Sequence, residues 1–135
     1  MPRVLLTAVL ALLAPVAFAA STVQNGVFTD EQAKRGKEVY LAHCATACHQ
    51  PNLVGSGPAP DLAGADFLAR WEDLSLADLH KKIRTTMPMI KPGSLAPDDY
   101  LAVMAYLLEA NGFPAGSSGL TADAAALGAI TIVKK

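Results

Sequence analysis

The run Cys44-Ala45-Thr46-Ala47-Cys48-His49 constrains this chain more than any other. Both cysteines of the protein lie in it, and His43 and His49, two of its three histidines, bracket them. On a regular helix, residues three or four apart fall within about 60° of one another, so Cys44 and Cys48 can reach a common group. His49 stands five residues after Cys44, about 140° around an ideal helix. All three side chains address one group only if the segment distorts. A one-residue bulge of the i→i+5 kind would absorb the insertion.

Two thiols followed at once by a histidine point to a covalently held haem. Each thiol adds to one vinyl group and the imidazole meets the iron from the same side. The usual spacing has two residues between the cysteines, and here there are three. Two other readings of these residues stay open. Cys44 and Cys48 could form a disulfide, within the narrow geometric limits of such a bridge. A zinc site would draw on Cys44, Cys48, His49 and a remote fourth donor such as His80, at an unfamiliar ligand spacing. His43 reads as a polar residue at a helix end or as a competing iron ligand. His80, beside Lys81 and Lys82, reads as solvent-facing.

The start of the chain bears on the fate of those thiols. Arg3 precedes an apolar run from Val4 to Ala14, and Ala17-Phe18-Ala19 follows. A charged start, a short apolar middle and an Ala-x-Ala end read as a secretory signal over residues 1–19, cut after Ala19. The competing reading is an uncleaved anchor, but Pro15 interrupts the run, which is at the short limit for a span of ~20 residues. No membrane span is expected after cleavage. In an oxidising compartment two thiols this close should be consumed by each other or by a ligand. Eleven basic residues against twelve acidic ones give none of the basic excess that nucleic-acid binding asks for. At 135 residues, 52% of them hydrophobic, the chain allows one small domain with a modest core, to which a large buried cofactor would add.

Residues 20–28 are polar and read as a flexible lead-in. Thr29 and Gln32 offer a capping box for a first helix, along which Ala33, Gly36, Val39, Tyr40 and Cys44 recur at helical spacing. Gly36 in mid-helix costs up to ~1 kcal/mol against alanine, so it implies close approach of a second helix. Residues 50–66 are rich in proline and glycine and read as loop. Phe67–Trp71 reads as a short turn. Ser75, with Asp78 three residues on, caps a helix whose inner face is Leu76, Leu79 and Ile83. Pro88 ends it, leaving Met87 at its end on a loop. Pro97, Asp98 and Asp99 suit the start of a last helix with Leu101, Met104, Ala105 and Leu108 as its stripe, widened by Val103 and Leu107. Gly112 stops it, and Phe113 folds back on Leu108. The tail, 115–135, is Gly/Ser-rich and then alanine-rich. The expected class is all-α.

With these residues in view, the stretch from Phe28 to Gly116 resembles a monohaem class I c-type cytochrome, an all-α helical domain (29–114) wrapped around one haem. The attachment run follows a helix carrying Gly36 and Tyr40. Pro60-Asp61-Leu62-Ala63-Gly64 resembles the family's Pro-x-Leu-x-Gly loop, in which the proline carbonyl orients the haem histidine and the leucine packs on the ring. Thr85-Thr86-Met87-Pro88 resembles the loop of the axial methionine, and Val103-Met104-Ala105-Tyr106-Leu107-Leu108 the last helix. The resemblance thus implies one covalent haem c per chain. Cys44 and Cys48 would attach it, His49 and Met87 would ligate the iron, and Pro60 and Leu62 would support it. Met89 is an alternative sixth ligand, and both methionines as gap-fillers is a further reading.

A narrower similarity, in Phe67–Trp71 and Pro92–Leu95, is to small cytochromes that accompany periplasmic quinoprotein dehydrogenases. It implies a periplasmic electron carrier, not an enzyme, taking electrons from such a dehydrogenase and passing them to a terminal acceptor. Lys81, Lys82, Arg84 and Lys91 would either steer an acidic partner or form a solvated face. Two other functions are consistent with the residues. One is a haem sensor or peroxidase-like protein with an open sixth iron position. The other is a fixed subunit of a dehydrogenase complex, held through the tail after Ala115.

Overall fold

The computed structural model describes residues 19–134. The expected secretory signal lies outside them except for Ala19. The Thr29 hydroxyl accepts a hydrogen bond from the Gln32 N–H (3.2 Å) and opens helix α1, Asp30–Tyr40. Asp30 and Glu31 in its first turn complement the helix dipole. The other half of the expected capping box is not made. The Gln32 side chain instead donates to the Leu120 carbonyl (3.0 Å) and accepts from the Leu120 N–H (2.8 Å). A backbone pair presented by the tail takes the amide that the cap would have used.

Helix α1 runs directly into a π-helical segment, Leu41–His49. The anticipated bulge is thus present, spread over nine residues. Helices α2 (Ala65–Trp71), α3 (Leu76–Thr86) and α4 (Pro97–Ala110) follow. Phe67–Trp71 belongs to a true helix, which begins at Ala65. Ser75 and Asp78 form the reciprocal capping box expected for α3. Helix α4 crosses α1 at Gly36, where a Cβ atom would lie 1.8 Å from the Ala102 carbonyl oxygen. The Tyr40 and Tyr106 rings pack beside this crossing, with centroids 5.3 Å apart. The buried part of α4 is wider than the expected stripe, because α1 and α3 both pack on it: every residue from Tyr100 to Leu108 is buried. Gly112 ends the helix at φ 76°, and the buried Phe113 bonds back to the Leu108 carbonyl (3.0 Å).

Neither end of the described chain is loose. In the lead-in, strand β1 (Ser21–Thr22) is followed by a 3₁₀ turn, and Val23 and Phe28 have no exposed surface. In the tail, α5 (Ala124–Gly128) precedes β2 (Ile130–Thr131), which pairs in parallel with β1. Leu120, Leu127 and Ile132 are buried, and Ile132 exchanges two backbone hydrogen bonds of 2.9 Å with Asp73 and Leu74. The packed unit therefore includes both segments that flank 29–114. Their apolar residues are too sparse to show a period, yet α5 and β2 pack on α3, and the Leu120 backbone is tied to Gln32 of α1.

Candidate functional site

Between the π-helical segment, the 56–62 loop, α2, the end of α3 and the middle of α4 lies a cavity of about 470 Å³. This is the size range of small-molecule and cofactor pockets. Cys44, Cys48, His49, Pro60, Leu62, Met87 and Met89 all line it. The structure therefore brings together every residue singled out from the sequence for one group. The remaining wall is largely apolar, with Phe67, Trp71, Leu79, Ile83, Val103 and Leu107 facing in.

His49 ends the π-helical segment and is buried. Its Nδ1 lies 2.9 Å from the Pro60 carbonyl oxygen. A carbonyl only accepts, so Nδ1 carries the proton and Nε2 keeps its lone pair, the form in which imidazole binds a metal. The next residue, Gln50, has φ 59° and ψ 155°, a region that side chains other than glycine rarely occupy. The buried Tyr40 hydroxyl holds this turn, lying 3.1 Å from the His49 carbonyl oxygen and 2.6 Å from that of Gln50. Asn111, at the end of α4, fixes the loop beyond Pro60. Its Nδ2 donates to the Leu62 carbonyl (3.0 Å) and its Oδ1 accepts from the Gly64 N–H (2.9 Å). Arg70 donates to the Asp61 carbonyl, and the Asp61 carboxylate accepts from the Gly55 N–H (2.8 Å).

Cys44 and Cys48 are both half-buried and are not bridged to one another. Burial, and then the neighbouring Cys48, push the Cys44 thiol up to about 11, so it is protonated at neutral pH. No group of three His, Cys, Asp or Glu side chains is placed to hold a metal ion among the described residues, so the four donors of a zinc site are not assembled. The remote donor considered for such a site, His80, does not line the cavity. Nor does it face solvent as expected: its Nε2 is buried without a hydrogen-bond partner. Burial, and then the Arg84 charge, lower its pKa. His43 is exposed and borders the cavity.

On the other wall Met87 is half-buried, with its N–H bonded to the Ile83 carbonyl in the last turn of α3 (2.9 Å). Its own carbonyl accepts from the Tyr100 hydroxyl (2.9 Å) and the Gly93 N–H (3.3 Å). Met89 is 64% exposed. Two thiols and an imidazole on one wall, thioethers on the other and apolar side chains between them fit a haem. Sequence reasoning missed the supporting roles of Tyr40, Tyr100 and Asn111. Each bonds to main-chain atoms that the loops bring to it, and residue spacing carries no trace of that.

Residues 31–107 match the family model described as cytochrome C oxidase, cbb3-type, subunit III. No curated protein matches significantly. Among solved structures, the chain is similar to one in the crystal structure of the sulfane dehydrogenase SoxCD from Paracoccus pantotrophus. The identity is 20% and the TM-score 0.46, over 71% of this chain and 55% of that one. The present chain thus spans little more than half the length of that neighbour.

Proposed function

The chain belongs to the cytochrome c family of cbb3-type oxidase subunit III, and from that premise we propose that it is a periplasmic electron carrier serving a quinoprotein dehydrogenase. It is a monohaem class I c-type cytochrome, all-α, with one covalently bound haem c. Cytochrome c domains of this kind carry electrons. In the proposed assignment Cys44 and Cys48 would attach the haem, and His49 Nε2 and the Met87 sulfur would bind its iron. The observation that carries this reading is the convergence of these four side chains on one apolar cavity.

When bound, the haem supplies a one-electron couple, which imidazole and thioether ligation shift toward a higher potential. The chain's residues do the rest. The Pro60 carbonyl keeps the proton on His49 Nδ1, so the imidazole stays oriented and its Nε2 free to bind. Leu62, Phe67, Trp71, Val103 and Leu107 keep water from the cavity. Met89 and Ile90, 64% and 94% exposed, stand at its mouth, with Lys82 in the wall and Lys91 next along the chain. An apolar spot beside lysines suits brief docking of an acidic redox partner, first the dehydrogenase and then a terminal acceptor.

If protein side chains fill both axial positions, the reduced protein should refuse carbon monoxide. Ready binding would favour a sensor or peroxidase-like protein with an open sixth position and would overturn the assignment of Met87.

A further inference from the structure

Among the described residues, the loop that follows Met87 is tied to α4 by hydrogen bonds to a single side-chain oxygen. Its backbone hydrogen bonds stay within the loop or reach back to α3: Met87 to Ile83, Lys91 to Pro88, Gly93 to Met87. Among the described residues, the side-chain hydrogen bonds that join the 87–95 stretch to another element are both made by the Tyr100 hydroxyl. It donates to the Met87 carbonyl (2.9 Å) and accepts from the Leu95 N–H (3.3 Å), which closes both ends of the loop onto α4. Tyr100 itself is 1% exposed and sits in the first turns of α4, so the hydroxyl is held still by its ring. Beyond the loop lies a second cavity of about 420 Å³, lined by Arg84, Thr85, Pro92, Gly93, Leu95 and Tyr100. The loop therefore has space to swing into, and at its α4 side this hydroxyl supplies the hydrogen bonds that oppose it. At its tip, Ile90 is 94% exposed and contributes almost no burial to hold the loop down.

We propose that Tyr100 is the positioning residue of the sixth ligand: its hydroxyl clasps the Met87 loop shut, and release of the clasp opens the iron. The proposal rests on the assignment of Met87 as axial donor. It adds to that assignment the element that decides how long the sulfur stays. An α4 residue thereby sets whether the protein behaves as a closed carrier or admits an outside ligand.

Tyr100→Phe removes the oxygen and keeps the ring, so the fold is retained. The haem-loaded variant should show amide exchange over residues 89–95 that is roughly thirtyfold faster, the factor implied by losing both hydrogen bonds of the hydroxyl. Exchange in α1 and the middle of α4 should stay as in the parent protein. The ferrous variant should bind carbon monoxide roughly thirtyfold more readily than the parent, since the open loop is that much more populated. The ferric variant should lose part of its far-red sulfur-to-iron absorption. Met87→Ala serves as the reference for a fully open site. If Met87→Ala still refuses carbon monoxide, the ligand assignment fails and the clasp falls with it. If Met87→Ala opens but Tyr100→Phe matches the parent in exchange or in carbon monoxide binding, the clasp alone is overturned. Faster exchange spread equally over α1 and α4 would mean a merely structural tyrosine and would also overturn it.

Discussion

The buried Nε2 of His80 is the side-chain polar atom that finds no partner among the described residues. An unpaired buried nitrogen costs about 1–3 kcal/mol, so His80→Leu should stabilise the protein by roughly 1 kcal/mol in denaturant unfolding at neutral pH. Burial and the nearby Arg84 charge lower its pKa in the fold. The unfolded chain therefore binds the proton more readily, and the stability this histidine permits is present above the ordinary value near 6.5 and lost as pH falls through it. His80→Leu should flatten that acid-side decline, and an unchanged slope would remove His80 as its source. Gly36 makes the opposite case. With a Cβ placed 1.8 Å from the Ala102 carbonyl oxygen, Gly36→Ala must push two backbones apart, and a loss of about 3 kcal/mol or more is expected in the same measurement. A glycine costly to a helix was legible as a crossing point from one residue alone. His80 was not, since only packing reveals which side of α3 the tail covers.

The π-helical segment carries the main structural adaptation of the chain. Three residues between the cysteines put His49 out of phase with Cys44 on a regular helix, and the wider turn of a π-helix brings the three back toward one cavity. That misfit could be worked out from spacing, and so could the need for a bulge; its spread over nine residues could not. The termination is a matter of tertiary hydrogen bonds, from the Tyr40 hydroxyl to the His49 and Gln50 carbonyls. If the segment is π-helical because of the extra residue, deleting the exposed Thr46 should return it to a regular helix without loss of the haem. A structure of the deletion variant, with its haem stain after denaturing electrophoresis, checks this. A retained π-helix would mean that Tyr40 and Gln50, not the residue count, set the geometry. The capping of α3, the proline start of α4 and its glycine stop were all readable because each depends on neighbours within a few positions.

The two ends of the chain were the least legible part of the fold. Residues 20–28 and 115–135 lack periodicity, but β1 and β2 pair, and Gln32 grips the Leu120 backbone. Long-range pairing of this kind leaves no pattern within either strand. Leu120, Leu127 and Ile132 are committed to the protein's own core, whereas the cavity mouth stays exposed. There the exposed Met89 and Ile90 adjoin Lys82 and Lys91. If an acidic partner docks at this rim, the second-order rate of electron transfer should fall at least roughly tenfold between low and physiological salt, whereas a flat response would assign docking to the apolar contact alone. Everything above depends on a porphyrin joined to the chain by Cys44 and Cys48. The intact mass of the denatured protein, produced from the full sequence in cells competent for haem attachment, tests that directly. The account predicts the chain mass plus one haem, with no free thiol; a haem-free mass, two hydrogens light from a Cys44–Cys48 bridge, would contradict it.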